Sequence, residues 1–265
     1  MVPVERIIDP DDERLAEYRN VPDGDLLAGR GRFVAEGRLV VRRLLTASRF
    51  AARSVMVTEA ACHALEDVLA AAPLPVYLVP PALPMQITGF NIHRGCLALG
   101  ERGAALDWRT IVPAARRLVL VERIGNADNI GSIFRNAVAF GVDGVLLDEA
   151  STDPLYRKAI RTSMGASLSL PFARFDPTGD LSELRCQGIS VIGLTPGATD
   201  TVRQVARRTS GQRVALMLGH EGDGLSSPAL AACDHLARIP MANGVDSINV
   251  AAAAAVALYE LDASV

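Results

Sequence analysis

The sequence predicts an α/β protein with two domains, and three observations support that prediction. Strand-like apolar runs alternate with helical segments across residues 118–265, which is typical of a mainly parallel sheet covered by helices. A shorter stretch before residue 101 has a similar alternation. Residues 101–117 mix charge and proline without a clear period, which indicates a linker. We therefore expect a first domain at residues 1–105 and a second at 118–265.

The first domain has the pattern of a small α/β module. Hydrophobic periodicity and β-branched runs predict, in order, an amphipathic helix at 33–47, a strand at 54–58, a helix at 61–72 and strands at 75–80 and 95–100.

The second domain contains five strand-like runs: LVLVE at 118–122, GVLL at 144–147, SVIGLT at 190–195, VALMLG at 214–219 and HLARIP at 235–240. In sheets of this kind, ligands bind at the carboxyl ends of the strands. The residues that follow each run are therefore the candidates for function.

The segment after the first of these strands predicts a helix with one apolar stripe, formed by Ile130, Ile133, Phe134, Ala137 and Val138. Gly141 provides its stop signal. Arg135 falls roughly 130° from the centre of the stripe, so its head can reach a groove or solvent. On this pattern alone, a solvated arginine is an equally open interpretation, and Asn129 suits the N-cap of the helix.

Composition limits the classes of function. With 265 residues, of which 49% are hydrophobic, the chain can bury one large core or two ordinary ones. The net charge of −3 gives no global attraction to nucleic acid, so such a partner requires a local basic patch. The four cysteines are scattered, which argues against a structural metal or a disulfide framework. Without a leader-like start or an apolar run of about 18 residues, we expect a cytoplasmic protein with no membrane span.

Three strand ends of the second domain carry unusual loops: PGATD at 196–200, HEGDGLS at 220–226 and MANGVDSINV at 241–250. Their glycines and small polar residues allow the backbone to approach a flat ligand closely, so we expect one shared pocket. The chain has neither the G-x-G-x-x-G fingerprint after the first strand nor a P-loop, which argues against a nicotinamide enzyme and a P-loop nucleotidase.

Each loop also has a purely structural interpretation. Gly219 and Gly222 fit tight turns, Glu221 fits the first turn of a helix, and Ser247 fits the cap of the last helix. The three loops together, in this order, are more specific than any one of them.

Three motifs resemble the SpoU/TrmH branch of the SPOUT RNA methyltransferases: N-x-G-x-I-x-R-x-A at 129–137, L-G-x-E-G-x-G-L-S at 218–226 and I-P-M-x-x-x-x-x-S-x-N-V at 239–250. The resemblance implies a SPOUT-type knotted α/β catalytic domain with a C-terminal trefoil knot, an exception to the usual rule against knots. It also implies S-adenosylmethionine as methyl donor, a homodimer and methylation of a ribose 2′-hydroxyl in structured RNA, without a metal. The first domain, with F-V-x-E-G at 33–37, is similar to the substrate-binding domain that often precedes this fold.

The resemblance also assigns site residues. Its catalytic positions are Arg135, Asn129, Glu221, Ser247 and Asn249. Its cofactor contacts correspond to Thr195, Gly197, Leu218, Gly219, Ile239, Met241, Ser247 and Ile248. Because a guanidinium stays protonated in proteins and is therefore a weak proton acceptor, we expect Arg135 to bind a phosphate and to stabilise the developing alkoxide.

Two positions depart from the family pattern. His220 stands where many relatives carry asparagine or another polar residue, and Ala251 stands where a second serine often follows. These departures leave the target RNA open. The extra domain favours ribosomal RNA by analogy, with a transfer RNA ribose methyltransferase as the alternative. A base-nitrogen methyltransferase and a non-catalytic RNA-binding protein of the same fold are further alternatives.

The predicted RNA contact is a basic patch in the first domain. Its main members are Arg30, Arg32, Arg38 and Arg42. Arg38 and Arg42 share one face of the predicted helix, which suits contacts to phosphates. A solvated helix face is the alternative.

Overall fold

The structure of the protein is a computed structural model that describes residues 4–19, 23–89, 93–242 and 245–262. It divides into two compact units. The first comprises the chain up to Ala104 together with Pro154–Ser169, and the second comprises Ala105–Asp153 and the chain from Leu170 onward.

The described residues form twelve strands and twelve α-helices, besides short 3-10 turns. The strands are β1 Val4–Arg6, β2 Arg32–Glu36, β3 Ala51–Val57, β4 Val76–Leu78, β5 Cys96–Glu101, β6 Leu106–Asp107, β7 Arg117–Val121, β8 Gly144–Leu147, β9 Phe172–Arg174, β10 Ile189–Leu194, β11 Arg213–Leu218 and β12 His235–Ala237. The helices are α1 Asp23–Arg30, α2 Arg38–Thr46, α3 Glu59–Ala64, α4 Glu66–Ala71, α5 Leu83–Thr88, α6 Trp108–Ile111, α7 Ala127–Ala139, α8 Arg157–Thr162, α9 Leu181–Cys186, α10 Val202–Arg208, α11 Ser227–Ala232 and α12 Val250–Asp262.

The first unit is built on a five-stranded mixed sheet in the order β1-β4-β3-β5-β2. Strand β5 runs antiparallel to both β2 and β3, whereas β4 is parallel to β1 and β3. Its core includes Leu15, Met56 and Leu97, each almost fully buried. Helix α8 belongs to this unit, where it lies against β2.

The second unit is built on a seven-stranded parallel sheet in the order β12-β10-β11-β7-β8-β9-β6. Strands β7, β8 and β9 follow one another to one side, whereas β10 and β11 lie on the other side of β7. The order therefore changes direction between β7 and β11, and ligands of open parallel sheets bind at such points. Helices α7 and α12 pack against each other in this unit.

The five strands predicted for the second unit are all present, and the mixed α/β class with a parallel sheet is confirmed. The trefoil knot stays a prediction. The apolar stripe of α7 is also confirmed at Ile130, Ile133, Phe134 and Ala137, all fully buried. Val138 differs, because 47% of it is exposed.

Two local predictions need correction. Residues 33–36 belong to strand β2, not to a helix, because Gly37 with φ 98° separates β2 from α2. The N-cap of α7 is Asn126, whose side chain accepts from the N–H of Asp128, whereas Asn129 is buried inside the helix.

Part of the predicted linker is structured. Residues 106–114 form β6, α6 and a 3-10 turn, and Trp108 is only 3% exposed in the core of the second unit. The burial of that one large aromatic side chain explains why a stretch without clear periodicity is ordered. In the described residues, none of the helices combines the length and hydrophobicity that a bilayer span requires.

Candidate functional site

The three glycine-containing loops of the second unit meet around one cavity of about 510 Å³. The loops follow the carboxyl ends of β10, β11 and β12, so the parallel sheet brings them to the same edge. A cavity of this size is in the range that accepts a small ligand or cofactor.

The cavity wall includes most of the residues predicted to bind a cofactor. These lining residues are Thr195, Leu218, Gly219, Ile239, Met241, Ser247 and Ile248. Gly197 is exposed on the loop after Thr195 and does not line the cavity. Asn243 and Gly244, inside the third motif, lie outside the described residues. Apolar side chains beside backbone N–H and C=O groups form a wall that suits a flat heterocycle.

Three of the predicted catalytic residues form a hydrogen-bonded chain at the edge of this cavity. The side-chain amide of Asn129 donates to Glu221 Oε1 at 2.8 Å, and Asn249 Nδ2 donates to Asn129 Oδ1 at 2.9 Å. Asn129 is 7% exposed, so both ends of its amide are satisfied inside the protein. The chain therefore ties α7 to the loops after β11 and β12.

Asn249 also caps the last helix. Its Oδ1 accepts from the backbone N–H groups of Ala251 at 2.9 Å and Ala252 at 3.3 Å. The interpretation of Ser247 as the cap is therefore wrong, because Asn249 occupies that role and Ser247 is an exposed residue of the cavity wall. A second bond joins the helices, from Asn136 Nδ2 to the carbonyl of Ala251 at 2.8 Å.

Arg135 lies on the exposed face of α7, as the helical spacing predicts. It does not line the cavity, and it follows Asn129 by roughly 9 Å along the helix axis. Among the described residues, its guanidinium makes no hydrogen bond or ion pair.

A buried carboxylate that the sequence analysis did not single out holds one end of the 220–226 loop. Glu122, 4% exposed, accepts from the backbone N–H of Ser226 at 2.8 Å and from its hydroxyl at 2.6 Å. The sequence signal that could identify Glu122 is a charged residue at the end of a buried strand, because a buried carboxylate requires hydrogen-bond donors. Ser226 in turn caps α11.

The neighbouring residue, Arg123, also contacts the 220–226 loop. Its φ of 56° lies in the left-handed region, a conformation that costs a non-glycine residue about 1–2 kcal/mol. The carboxylate of Asp148 compensates by accepting from the Arg123 N–H at 3.0 Å. The guanidinium donates to the carbonyl of Gly224 at 3.4 Å and lies 3.9 Å from Asp223.

Cys233, packed against the core of the second unit, is not a thiolate nucleophile. Burial, supported by the Asp234 and Glu122 carboxylates, raises the pKa of the Cys233 thiol to about 12. Cys233 therefore stays protonated near neutral pH. In the part of the chain that the structure describes, no group of three or more His, Cys, Asp or Glu residues is arranged to hold a metal ion.

The predicted RNA patch lies in the first unit, and its four arginines differ in their partners. Arg32 pairs with Glu17, and Arg42 makes a two-point ion pair with Asp67. Arg38 only reaches the carbonyl of Arg94 at 3.4 Å, and Arg30 is exposed. Two of the four charges are therefore neutralised locally, which the sequence spacing alone did not predict.

Comparison with known proteins identifies relatives of this protein. Residues 116–259 match the model of the SpoU rRNA Methylase family. The chain is 38% identical over 263 residues to an uncharacterised tRNA/rRNA methyltransferase of Mycobacterium tuberculosis, and the match covers 97% of this chain and 91% of that protein.

Solved structures share the fold over nearly the full length. An AdoMet-bound rRNA methyltransferase from Sinorhizobium meliloti aligns with a TM-score of 0.83 at 23% identity, covering 97% of each chain. A structure described as an RNA 2′-O ribose methyltransferase aligns with a TM-score of 0.80 at 25% identity, also covering 97% of each chain. Both alignments extend across the residues of both units.

Proposed function

Because this chain belongs to the SpoU rRNA methylase family, we propose that it transfers the methyl group of S-adenosylmethionine to a ribose 2′-hydroxyl of ribosomal RNA. The observation that carries the proposal is the hydrogen-bonded chain Glu221–Asn129–Asn249 beside a cavity with an apolar wall. The name of the related RNA 2′-O ribose methyltransferase supports the ribose target.

The residues present fit S-adenosylmethionine. The cavity volume of about 510 Å³ accommodates a nucleoside with a side chain, and Leu218, Ile239 and Ile248 offer apolar contacts to an adenine ring. Gly219 is tightly packed: a Cβ there would lie 2.3 Å from the Gly224 carbonyl carbon, so only glycine permits this backbone path. When bound, the cofactor supplies an electrophilic methyl group.

In this proposal Arg135 acts on the RNA. A ribose hydroxyl is a poor nucleophile until its proton is leaving, and a guanidinium that grips the adjacent phosphate stabilises the negative charge developing on the 2′-oxygen. The bound cofactor would supply the methyl group to the 2′-oxygen and would leave as a neutral thioether, and the hydroxyl proton would pass to solvent. Asn129, held at both ends of its amide, fixes the loops that orient the ribose.

The first unit would provide further phosphate contacts. Arg38 and Arg30 are its better candidates, because Arg32 and Arg42 already hold carboxylates. Contacts of this kind weaken as the salt concentration rises, since counterions are released when phosphates are neutralised.

We also propose that the protein is a homodimer that uses the exposed faces of α7 and α12. Val138 on α7 and Val256 and Tyr259 on α12 are each more than 40% exposed, and all three are apolar or aromatic. Exposed apolar side chains on two adjacent helices are typical of subunit interfaces.

The test is transfer of labelled methyl from S-adenosylmethionine to purified ribosomal RNA and transfer RNA. We expect wild type to label ribosomal RNA as a 2′-O-methylnucleotide and Arg135→Ala to lose at least about 100-fold in rate, the scale of one electrostatic group in a transition state. Arg207→Ala removes an exposed arginine of α10 outside the site and serves as the matched control.

The outcomes separate the alternatives. Label on transfer RNA alone would identify transfer RNA as the substrate in place of ribosomal RNA. Label on a base nitrogen would contradict the assignment of the ribose 2′-hydroxyl. An Arg135→Ala variant as active as the Arg207→Ala control would contradict the role of Arg135. Cofactor binding without transfer to either RNA would indicate either that the substrate is a ribosome assembly intermediate or that the protein binds without catalysing.

A further inference from the structure

The loop between β11 and α11 is shaped around the side chain of His220. Its backbone closes on itself, since the His220 N–H donates to the Gly224 carbonyl at 3.1 Å and the Gly224 N–H donates to the His220 carbonyl at 3.0 Å. Inside this turn, the N–H groups of Gly222 and Asp223 both donate to His220 Nδ1, at 3.1 and 3.2 Å. The imidazole is therefore the acceptor at the centre of the loop.

This loop contributes to both parts of the candidate site. All of its residues from His220 to Gly224 line the cavity, and Glu221 accepts from Asn129. A change in the loop backbone would therefore move the cavity wall and the Glu221 carboxylate together.

We propose that His220 is a positioning residue, which shapes the 220–224 loop only as a neutral imidazole and thereby makes cofactor binding dependent on pH. The inference rests on the proposed function, because it takes S-adenosylmethionine as the ligand of the cavity. Nδ1 accepts two hydrogen bonds only while it lacks a proton, and protonation would turn it into a donor that faces two N–H groups.

The charged groups around the ring are few. Asp223 Oδ2 lies 3.8 Å from Nδ1. Arg123 lies 3.9 Å from the same carboxylate and offsets part of that charge. Glu221 is the other charged residue of the loop, and its Oε1 accepts from Asn129. The Asp223 side chain is 76% exposed, so solvent screens its effect on the ring.

Three substitutions of His220 separate the role of Nδ1 as a hydrogen-bond acceptor from that of the imidazole ring as a whole. In His220→Asn, the amide oxygen can take the position of Nδ1, whereas in His220→Gln the oxygen reaches the position of Nε2; His220→Ala removes both. By isothermal titration calorimetry at pH 8, we expect wild type and His220→Asn to bind S-adenosylmethionine within about threefold of each other. His220→Gln and His220→Ala should bind about tenfold or more weakly, the scale of two lost neutral hydrogen bonds. Thermal unfolding of each variant checks that it is folded.

The pH profile provides the readout that a purely structural role would not change. Between pH 8 and pH 5.5, wild-type affinity should fall several-fold as the imidazole gains a proton, whereas that of His220→Asn should stay nearly constant. His220→Ala binding as tightly as wild type, or His220→Asn losing as much as His220→Ala, would overturn the proposal.

A measurement without ligand separates this inference from the proposed function. Nitrogen-15 NMR of the histidine rings at pH 8 should find the His220 proton on Nε2, since Nδ1 is an acceptor. A proton on Nδ1 would overturn the inference while leaving the proposed function intact. Absence of cofactor binding by wild type at both pH values would overturn the proposed function, and the pH-dependent ligand step with it.

Discussion

Asn129 shows how much one buried amide can connect. Its donor and acceptor are both used, by Glu221 on one loop and by Asn249 on another, and Asn249 also caps α12. Removing the amide therefore breaks two hydrogen bonds at once, each of which contributes about 0.5–1.5 kcal/mol, whereas the exposed Glu221 and Asn249 can bond to water instead.

We expect Asn129→Ala to lower methyl transfer at least about tenfold and to reduce the free energy of unfolding by roughly 1–3 kcal/mol. The matched control is Asn136→Ala, which removes a hydrogen bond between the same two helices without touching Glu221. Steady-state kinetics and urea unfolding of both variants make the comparison. Equal losses of activity in both variants would show that helix packing, not the Glu221–Asn129–Asn249 chain, matters for function.

The sequence predicts which residues belong to the site better than it predicts their hydrogen-bond partners. The family resemblance assigns Asn129, Glu221 and Asn249 to one site, and the structure brings them within hydrogen-bond distance. The sequence does not reveal that Asn129 is hydrogen-bonded to both of the others, because its position fits either the N-cap or the interior of the helix. The acceptor role of His220 depends on the backbone path of a five-residue turn, which has no sequence period.

At the scale of elements, strands were predicted better than the segments between them. Strands β7, β8, β10 and β11 are central, so their apolar runs are continuous and easy to recognise. Strand β9 has only three residues and β6 only two, too few for a pattern. The hydrophobic periodicity extends the predicted helix back over strand β2, because Gly37 alone marks the boundary between them.

The turn after β11 is the element with the tightest backbone packing in the site. A Cβ on Gly219 would lie 2.3 Å from the Leu225 nitrogen as well as from the Gly224 carbonyl carbon, and backbone atoms cannot rotate away. We expect Gly219→Ala to displace the 220–224 loop, to weaken S-adenosylmethionine binding at least about tenfold and to lower stability by roughly 1–3 kcal/mol.

Gly125→Ala is the control for that substitution. A Cβ at Gly125 would meet no atom within 4 Å, and its φ is not in the left-handed region. Its effect on cofactor binding, measured by calorimetry, should be small. If Gly219→Ala bound the cofactor as well as Gly125→Ala did, the close packing of the turn would have no bearing on the site.

At the scale of the whole molecule, the chain leaves the second unit after Asp153 and completes the first unit with residues 154–169. The Glu36 side chain is fully buried, and it is met by Arg157 at 2.8 Å and Arg161 at 3.7 Å from this returning segment. The first unit therefore contains a carboxylate whose partners are more than 100 residues away in sequence. Sequence periodicity assigned 154–169 to the second domain, because local patterns carry no information about such distant pairs.

We expect Arg157→Ala to destabilise the first unit by roughly 3 kcal/mol, because it leaves a buried carboxylate without its nearest cation. Arg161→Ala should cost no more than about 1 kcal/mol, since that side chain is more exposed and farther from Glu36. Urea unfolding measures both. Adding Glu36→Gln to Arg157→Ala should restore part of the loss, and a further loss in the double variant would contradict the charge argument.

The return of residues 154–169 to the first unit sets an order of events during synthesis on the ribosome. The 65 residues that follow Ala104 must be translated before Ser169 emerges and the first unit has all of its chain. At about 5–20 residues per second, the nascent first unit waits roughly 3 to 13 s with Glu36 lacking its arginine partners. Its sheet can pair during that interval, but Arg157 and Arg161 reach Glu36 only once part of the second unit has already left the exit tunnel.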